Sequence, residues 1–330
     1  MELKKNNFIK STKMKKHFLL LILTCIGLVL GCKNTKEIPK SEKLTKRVVV
    51  IGLDGISVDG YLTAKHPNLD ALMADGMLSL TTRNVMPSVT LPNWTSHLTG
   101  SGPEQHGVLS NGWELDKIVL PAIDVDEQGY YPSIFKILKE NVPNVKTAFY
   151  YNWAELINSF NPLYMDEVSF EGNDEYQKNY GKALDFIVKN SLDPTMVFLY
   201  SVHTDHAGHN HGWMSPEYIA SIEEVDVSIG QFVQKLKAEN LYGETHFMFF
   251  TDHGGVPEKG HGGITPQELE VPWAITGPGI KKGQRLKEPN NSVNTAATIA
   301  YLFGCDVPLS WTGEVPMSIF ETQEPQANLK

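Results

Sequence analysis

Short runs of apolar residues recur along the chain, at Arg47 to Leu53, Lys146 to Tyr151, Thr195 to Val202, Thr245 to Thr251 and Val271 to Thr276. Several lack the polar alternation of a half-solvated strand, so they predict strands covered on both faces, as in a mostly parallel sheet. Helical spacing fills the intervals. Pro67 opens a segment with apolar residues at i, i+3 and i+4 that stops at Gly76. Ser215-Pro216 opens a longer one, whose Ile219, Ile222, Val225, Ile229, Phe232, Val233 and Leu236 trace a single stripe. This alternation predicts an α/β protein, a three-layer α/β/α sandwich around a mostly parallel sheet. No internal repeat or low-complexity tract interrupts it. The stretches 111–132 and 152–174 are less regular and predict loops or a small lid.

The N-terminus departs from this pattern. Six lysines precede an apolar run from Phe18 to Leu30 that is too short to span a bilayer comfortably, which predicts a secretory signal over residues 1–31. Its end, Leu28-Val29-Leu30-Gly31-Cys32, resembles the lipobox of bacterial lipoproteins and predicts a lipid anchor on Cys32. A polar, Lys-rich tether over 32–46 and one catalytic domain over 47–330 complete the expected organisation, with the protein exported to the bacterial cell envelope.

Charge narrows the function. The full chain carries −9, and removing residues 1–31 takes away six Lys and one Glu, leaving −14. A nucleic-acid-binding groove is not expected at that charge. Cys32 and Cys305 would be the only cysteines left, and an acylated Cys32 leaves no disulfide within the monomer. Cys305 reads as a small buried hydrophobe.

The candidate chemistry sits where strands end. Asp54 follows the first run, Asp205 and His209 follow the third, and Asp252, His253 and His261 follow the fourth. In an open parallel sheet such positions emerge together at the carboxyl edge, where ligands bind. Asp and His with no Cys suit Zn²⁺ better than Mg²⁺ or Ca²⁺, because imidazole is a borderline-soft donor. Thr90 stands between a strand-like stretch ending near Pro87 and a helix whose start is marked by Pro92. Backbone N–H groups at that helix start would favour an anion.

These segments, V-V-V-I-G-L-D-G, P-S-V-T-L-P-N-W, H-T-D-H-A-G-H and F-T-D-H-G-G-V-P-E-K-G-H-G-G, together resemble the alkaline phosphatase superfamily, within it the type I phosphodiesterase and nucleotide pyrophosphatase branch. The resemblance runs from about Val48 to about Pro316. It implies an alkaline-phosphatase-like fold and two Zn²⁺, one held by Asp205, His209 and His261, the other by Asp54, Asp252 and His253. It implies Thr90 as a metal-bridging nucleophile and Asn111 as the holder of a phosphoryl oxygen. A metal-activated threonine hydroxyl would then give a phospho-threonine, hydrolysed from the opposite side by water. The short spacing from Asp252-His253 to His261 looks more like ethanolamine-phosphate transferases and some bacterial diesterases than like animal nucleotide pyrophosphatases. Nucleotide specificity is therefore not carried over. The sulfatase modification motif is absent.

Taken singly, each residue has an ordinary alternative. A strand-end Asp is commonly a cap or turn former, Asn111 suits an Asx-turn, and the Gly neighbours of His261 suit a plain turn. His203, His206 and His211 crowd the region without matching a ligand position and are candidates for metal-supporting or substrate-facing roles. Trp94, Trp113, Tyr151 and Trp153 are candidates for a leaving-group pocket, although aromatics are more often core. The expected substrate is a small-molecule, glycan or lipid phosphodiester or pyrophosphate. A phospho-alcohol transferase with the same nucleophile is the alternative, disfavoured because the related transferases carry transmembrane segments. A phosphomonoesterase and a metal-binding protein without turnover rank lower.

Overall fold

Every described strand but the two at the sheet's far edges is rich in buried side chains, and alternate residues feed two separate cores. The computed structural model describes residues 45–258 and 260–321. The predicted signal, Cys32 and nearly all of the predicted tether lie outside them. In chain order the elements are β1 (Arg47–Leu53), α1 (Val58–Thr63), α2 (Pro67–Met73), β2 (Gly76–Arg83), α3 (Thr90–Thr99), α4 (Pro103–His106), α5 (Ile134–Asn141), β3 (Lys146–Tyr151), β4 (Glu167–Phe170), α6 (Tyr176–Lys189), β5 (Thr195–Ser201), α7 (His203–His211), α8 (Pro216–Ala238), β6 (Thr245–Phe250), α9 (Pro266–Leu269), β7 (Glu270–Thr276), β8 (Gln284–Arg285) and α10 (Asn294–Leu302).

The strands form one sheet in the order β4-β3-β5-β1-β6-β7-β2-β8. β1 lies between β5 and β6 and is parallel to both, while β7 runs antiparallel to its neighbours β6 and β2. On β1, Val48 and Val50 pack with α3, α5 and α10 on one face. Val49, Ile51 and Leu53 pack with α2, α6 and α8 on the other. The predicted three-layer sandwich is the observed fold. Among the described residues no helix is long and apolar enough to cross a membrane.

The predicted strands match within a residue at each end, and Ser215 caps α8 by accepting from the Tyr218 N–H. Two boundaries move. Thr45, placed in the tether by the sequence, is buried, and its N–H donates to the Leu302 carbonyl at 3.1 Å, so packing begins before β1. Helix α3 starts at Thr90, which makes Pro92 its third residue rather than its opening one.

Candidate active site

The three adjacent parallel strands β5, β1 and β6 end in register, and the residues that follow them meet. Asp54 comes directly after β1 and is fully buried. Gly52 permits this arrangement: a Cβ there would lie 2.7 Å from the Trp94 ring, so only glycine lets the indole cover the strand end. Trp94 then donates Nε1–H to Asp54 Oδ2 at 3.2 Å, and the Tyr200 hydroxyl from β5 donates to the same oxygen. Gly55 follows with φ 70°, a left-handed conformation that disfavours side chains, and its N–H reaches Asp252 Oδ1 at 3.2 Å. Asp54 and Asp252 are thus each anchored through one oxygen. Asp54 Oδ1, Asp252 Oδ2 and Asp205 Oδ1 are buried with no hydrogen-bond partner.

The histidines complete the cluster. His253 Nδ1 lies 2.9 Å from the Gly254 carbonyl and His261 Nδ1 lies 2.8 Å from the Ser88 carbonyl. A carbonyl only accepts, so each Nδ1 carries the proton and each neutral ring presents the Nε2 lone pair. His253 Nε2 lies 3.4 Å from Asp54 Oδ1 and 3.2 Å from Asp252 Oδ2. His209 follows Asp205 by one turn of α7, on the same face. Its Nε2 lies 3.5 Å from Asp205 Oδ2 and 3.1 Å from His261 Nε2, while His261 Nε2 lies 3.8 Å from Asp205 Oδ1.

Two tight groups result, Asp54/Asp252/His253 and Asp205/His253/His261, each with ligand atoms within 4.8 Å of one another. His253 therefore stands between the two, its ring stacked on His261 at 3.7 Å. Tetrahedral coordination at about 2.0 Å spaces ligand atoms by about 3.3 Å. The separations of the ligand atoms and the orphaned carboxylate oxygens fit metal cations.

Electrostatics point the same way. Burial pushes the Asp54 carboxyl up to about 6, against the opposing hydrogen bonds from Tyr200 and Trp94. Burial first, and the neighbouring carboxylates second, push Asp205 and Asp252 well above the ordinary range. Burial holds His253 and His261 neutral. Three buried carboxylates packed against neutral imidazoles need positive charge to ionise together.

Thr90 is the first residue of α3 and is buried, with Oγ1 3.2 Å from His253 Nε2. The next residue, Leu91, donates its N–H to Asn111 Oδ1 at 2.8 Å. That bond fixes the Asn111 amide orientation and leaves its NH₂ without a partner among the described residues. It also consumes one of the helix N–H groups expected to face an anion, and Pro92 supplies none. Asn111, Trp113 and Trp153 line a cleft of about 510 Å³ beside this point.

The other aromatic candidates are structural. Trp94 is fully buried under Asp54, and Tyr151 packs between Phe149 and Phe170. His203 is also core: it stacks on Tyr176 and donates to the Ser221 carbonyl. His206 pairs with Asp174 at 2.9 Å, and His211 is exposed at the end of α7. Four supporting residues were not legible in the sequence. Tyr200 anchors Asp54. Trp213 donates to the Gly55 carbonyl at 2.8 Å and packs against His209 and His261. The Ser88 hydroxyl bonds both the Gly262 N–H and the Gly263 carbonyl at 2.9 Å, clamping the His261 loop to the segment before Thr90. Glu268 accepts the Gly263 N–H at 2.7 Å.

The sequence profile of the type I phosphodiesterase / nucleotide pyrophosphatase family matches residues 48–271. Over 229 residues the chain is 30% identical to an "uncharacterized pyrophosphatase/phosphodiesterase" of Schizosaccharomyces pombe, covering 64% of this chain and 45% of that protein. Over 259 residues it is 26% identical to the bis(5'-adenosyl)-triphosphatase ENPP4 of Bos taurus, covering 72% and 52%. The chain spans about half the length of these curated relatives. Its fold matches murine ectonucleotide pyrophosphatase/phosphodiesterase 5, solved as an inactive threonine-to-alanine variant with AMP, at TM-score 0.70 and 15% identity over 83% of this chain and 99% of that one. The chain belongs to the type I phosphodiesterase / nucleotide pyrophosphatase family of the alkaline phosphatase superfamily.

Proposed function

We propose that this protein hydrolyses phosphodiester or pyrophosphate bonds through a phospho-Thr90 intermediate, with two Zn²⁺ held by Asp54, Asp252 and His253 and by Asp205, His209 and His261. The observation that carries the proposal is Thr90 Oγ1 at 3.2 Å from His253 Nε2, the nitrogen that the orphaned Asp54 Oδ1 and Asp252 Oδ2 approach to 3.4 and 3.2 Å. Bound cations would lower the pKa of the Thr90 hydroxyl and offset charge on the attacking and departing oxygens.

The chain's own groups do the positioning. Thr90 Oγ1, fixed at the start of α3, loses its proton and forms a bond to phosphorus as the bond to the first alcohol or phosphate oxygen breaks and that group leaves, taking up a proton. Asn111, held by Leu91, offers its amide N–H groups to a non-bridging oxygen. Water then attacks from the vacated side, and Thr90 Oγ1 departs and regains a proton. The test is a rate comparison of zinc-loaded protein on aryl diesters, nucleotides, aryl monoesters and sulfate esters, with products analysed. Diester or pyrophosphate cleavage with water as sole acceptor is expected. Dominant monoester or sulfate turnover contradicts the proposal, and strict dependence on a hydroxyl acceptor replaces it with phospho-alcohol transfer.

The basic segment, apolar run and Gly31-Cys32 junction support a lipid-anchored location in the bacterial cell envelope. Mass spectrometry of the mature N-terminal peptide is expected to find acylated Cys32; an unmodified Cys32 refutes the anchor.

A further inference from the structure

The sequence holds a single Asn-Gly pair, Asn111-Gly112, and the fold sets it against the residue after Thr90. The pair takes the two central positions of a turn, closed by the Trp113 N–H, which donates to the Ser110 carbonyl at 3.2 Å. Asn111 is half-buried and Gly112 is exposed. Where a Gly112 Cβ would stand, the nearest atom is Ser110 Oγ at 3.9 Å, so the flank of the glycine is open. Among the described residues the Gly112 N–H donates no hydrogen bond.

The Asn111 side chain is set up as the complementary electrophile. Its Oδ1 accepts the Leu91 N–H at 2.8 Å, in the first turn of α3. A donor at that oxygen draws electrons from Cγ and stands ready for the negative charge that develops when a nucleophile adds. The NH₂ group has no partner among the described residues, so nothing retains it as a leaving group. Glycine, lacking a side chain, also lets its own nitrogen approach closely.

We propose that Asn111-Gly112 is a site of spontaneous deamidation, through which the protein loses the amide that receives the phosphoryl oxygen. Gly112 N gives up its proton to a solvent base and bonds to Asn111 Cγ. The Cγ–Nδ2 bond breaks, and that nitrogen takes up a proton and leaves as ammonia. Water then opens the succinimide at one of its two carbonyls, leaving aspartate or isoaspartate at position 111. Either product puts an acceptor-only carboxylate where a neutral donor stood, and it repels a phosphoryl oxygen. The loss of activity rests on the role proposed for Asn111 above, whereas the ring closure does not.

The test incubates the zinc-loaded protein in mildly alkaline buffer, with peptide mass mapping and diester turnover followed together. The peptide bearing Asn111 is expected to gain the mass of an amide-to-acid conversion, with isoaspartate present, ahead of every other asparagine. Turnover is expected to fall in step, and Asn111→Asp to lose about a hundredfold, the size of one lost transition-state donor. Gly112→Ala, whose methyl group fits the open flank, is expected to keep turnover and to slow the conversion several-fold. An intact Asn111 in the folded protein, while the same peptide converts in the unfolded chain, overturns the proposal and leaves the diesterase reading standing. Equal conversion in Gly112→Ala overturns the succinimide route. Complete conversion with undiminished turnover overturns the loss of function and, with it, the role given to Asn111.

Discussion

Thr90→Ala is expected to lower kcat by on the order of a thousandfold or more, because the attacking oxygen is gone while the groups around it stay in place. Thr90 contributes no core packing beyond its methyl group, and the first turn of α3 is held independently by the Leu91 N–H bond to Asn111. The variant should therefore keep its melting temperature and metal content. Thr90→Ser should retain activity within about tenfold, since it keeps the hydroxyl and loses only the methyl that restricts its rotamers. Steady-state kinetics with metal analysis of both variants checks this. Substantial turnover by Thr90→Ala would demote the residue to part of the scaffold.

Asp54→Asn is expected to act on metal and stability in opposite senses. The Trp94 N–H and the Tyr200 hydroxyl both donate to Oδ2, so the amide oxygen takes that place and the NH₂ group replaces the orphaned Oδ1 beside His253. A donor cannot ligate a cation. On the proposed two-zinc site, bound metal should fall from two to about one, with activity down about a thousandfold, the equivalent of several kcal/mol of lost transition-state stabilisation. Without metal the sign reverses. A carboxyl raised to about 6 in the fold stabilises the protein fully only below its ordinary value, and that contribution disappears as pH rises through about 6. Metal-free wild type at pH 8 therefore bears a burial cost on the order of 3 kcal/mol that the amide lacks. Chelated Asp54→Asn should melt above chelated wild type at pH 8, with the gap closing toward pH 4. A lower melting temperature across that range would contradict the electrostatic basis of the site.

The parts of the fold that were legible in the sequence are those where burial on both faces forces uniform apolarity, as in β1, β5 and β6. β2 escaped because Gly76–Arg83 mixes Ser, Thr and Arg among its apolar residues and its inward and outward faces are irregular. β4 escaped because at the sheet's edge it is only half-buried, and β8 has just two residues. Helix α3 showed little beyond Pro92, since its run of Thr, Asn, Trp, Ser and His is buried on every side and has no amphipathic stripe. The acidic and imidazole side chains of the site were legible because their types are chemically restrictive and strand ends converge. Tyr200, Trp213 and Ser88 were not: they are ordinary residue types far away in sequence, and only the folded chain brings them to Asp54, Gly55 and the His261 loop. His203 shows the converse, a candidate histidine beside the site whose ring serves packing.

The stereochemical course at phosphorus tests covalent catalysis by Thr90 most directly. With a diester made chiral at phosphorus and hydrolysed in isotopically labelled water, two successive in-line displacements give overall retention of configuration, which is the expected result. Inversion would mean that water attacks phosphorus directly and that no phospho-Thr90 forms.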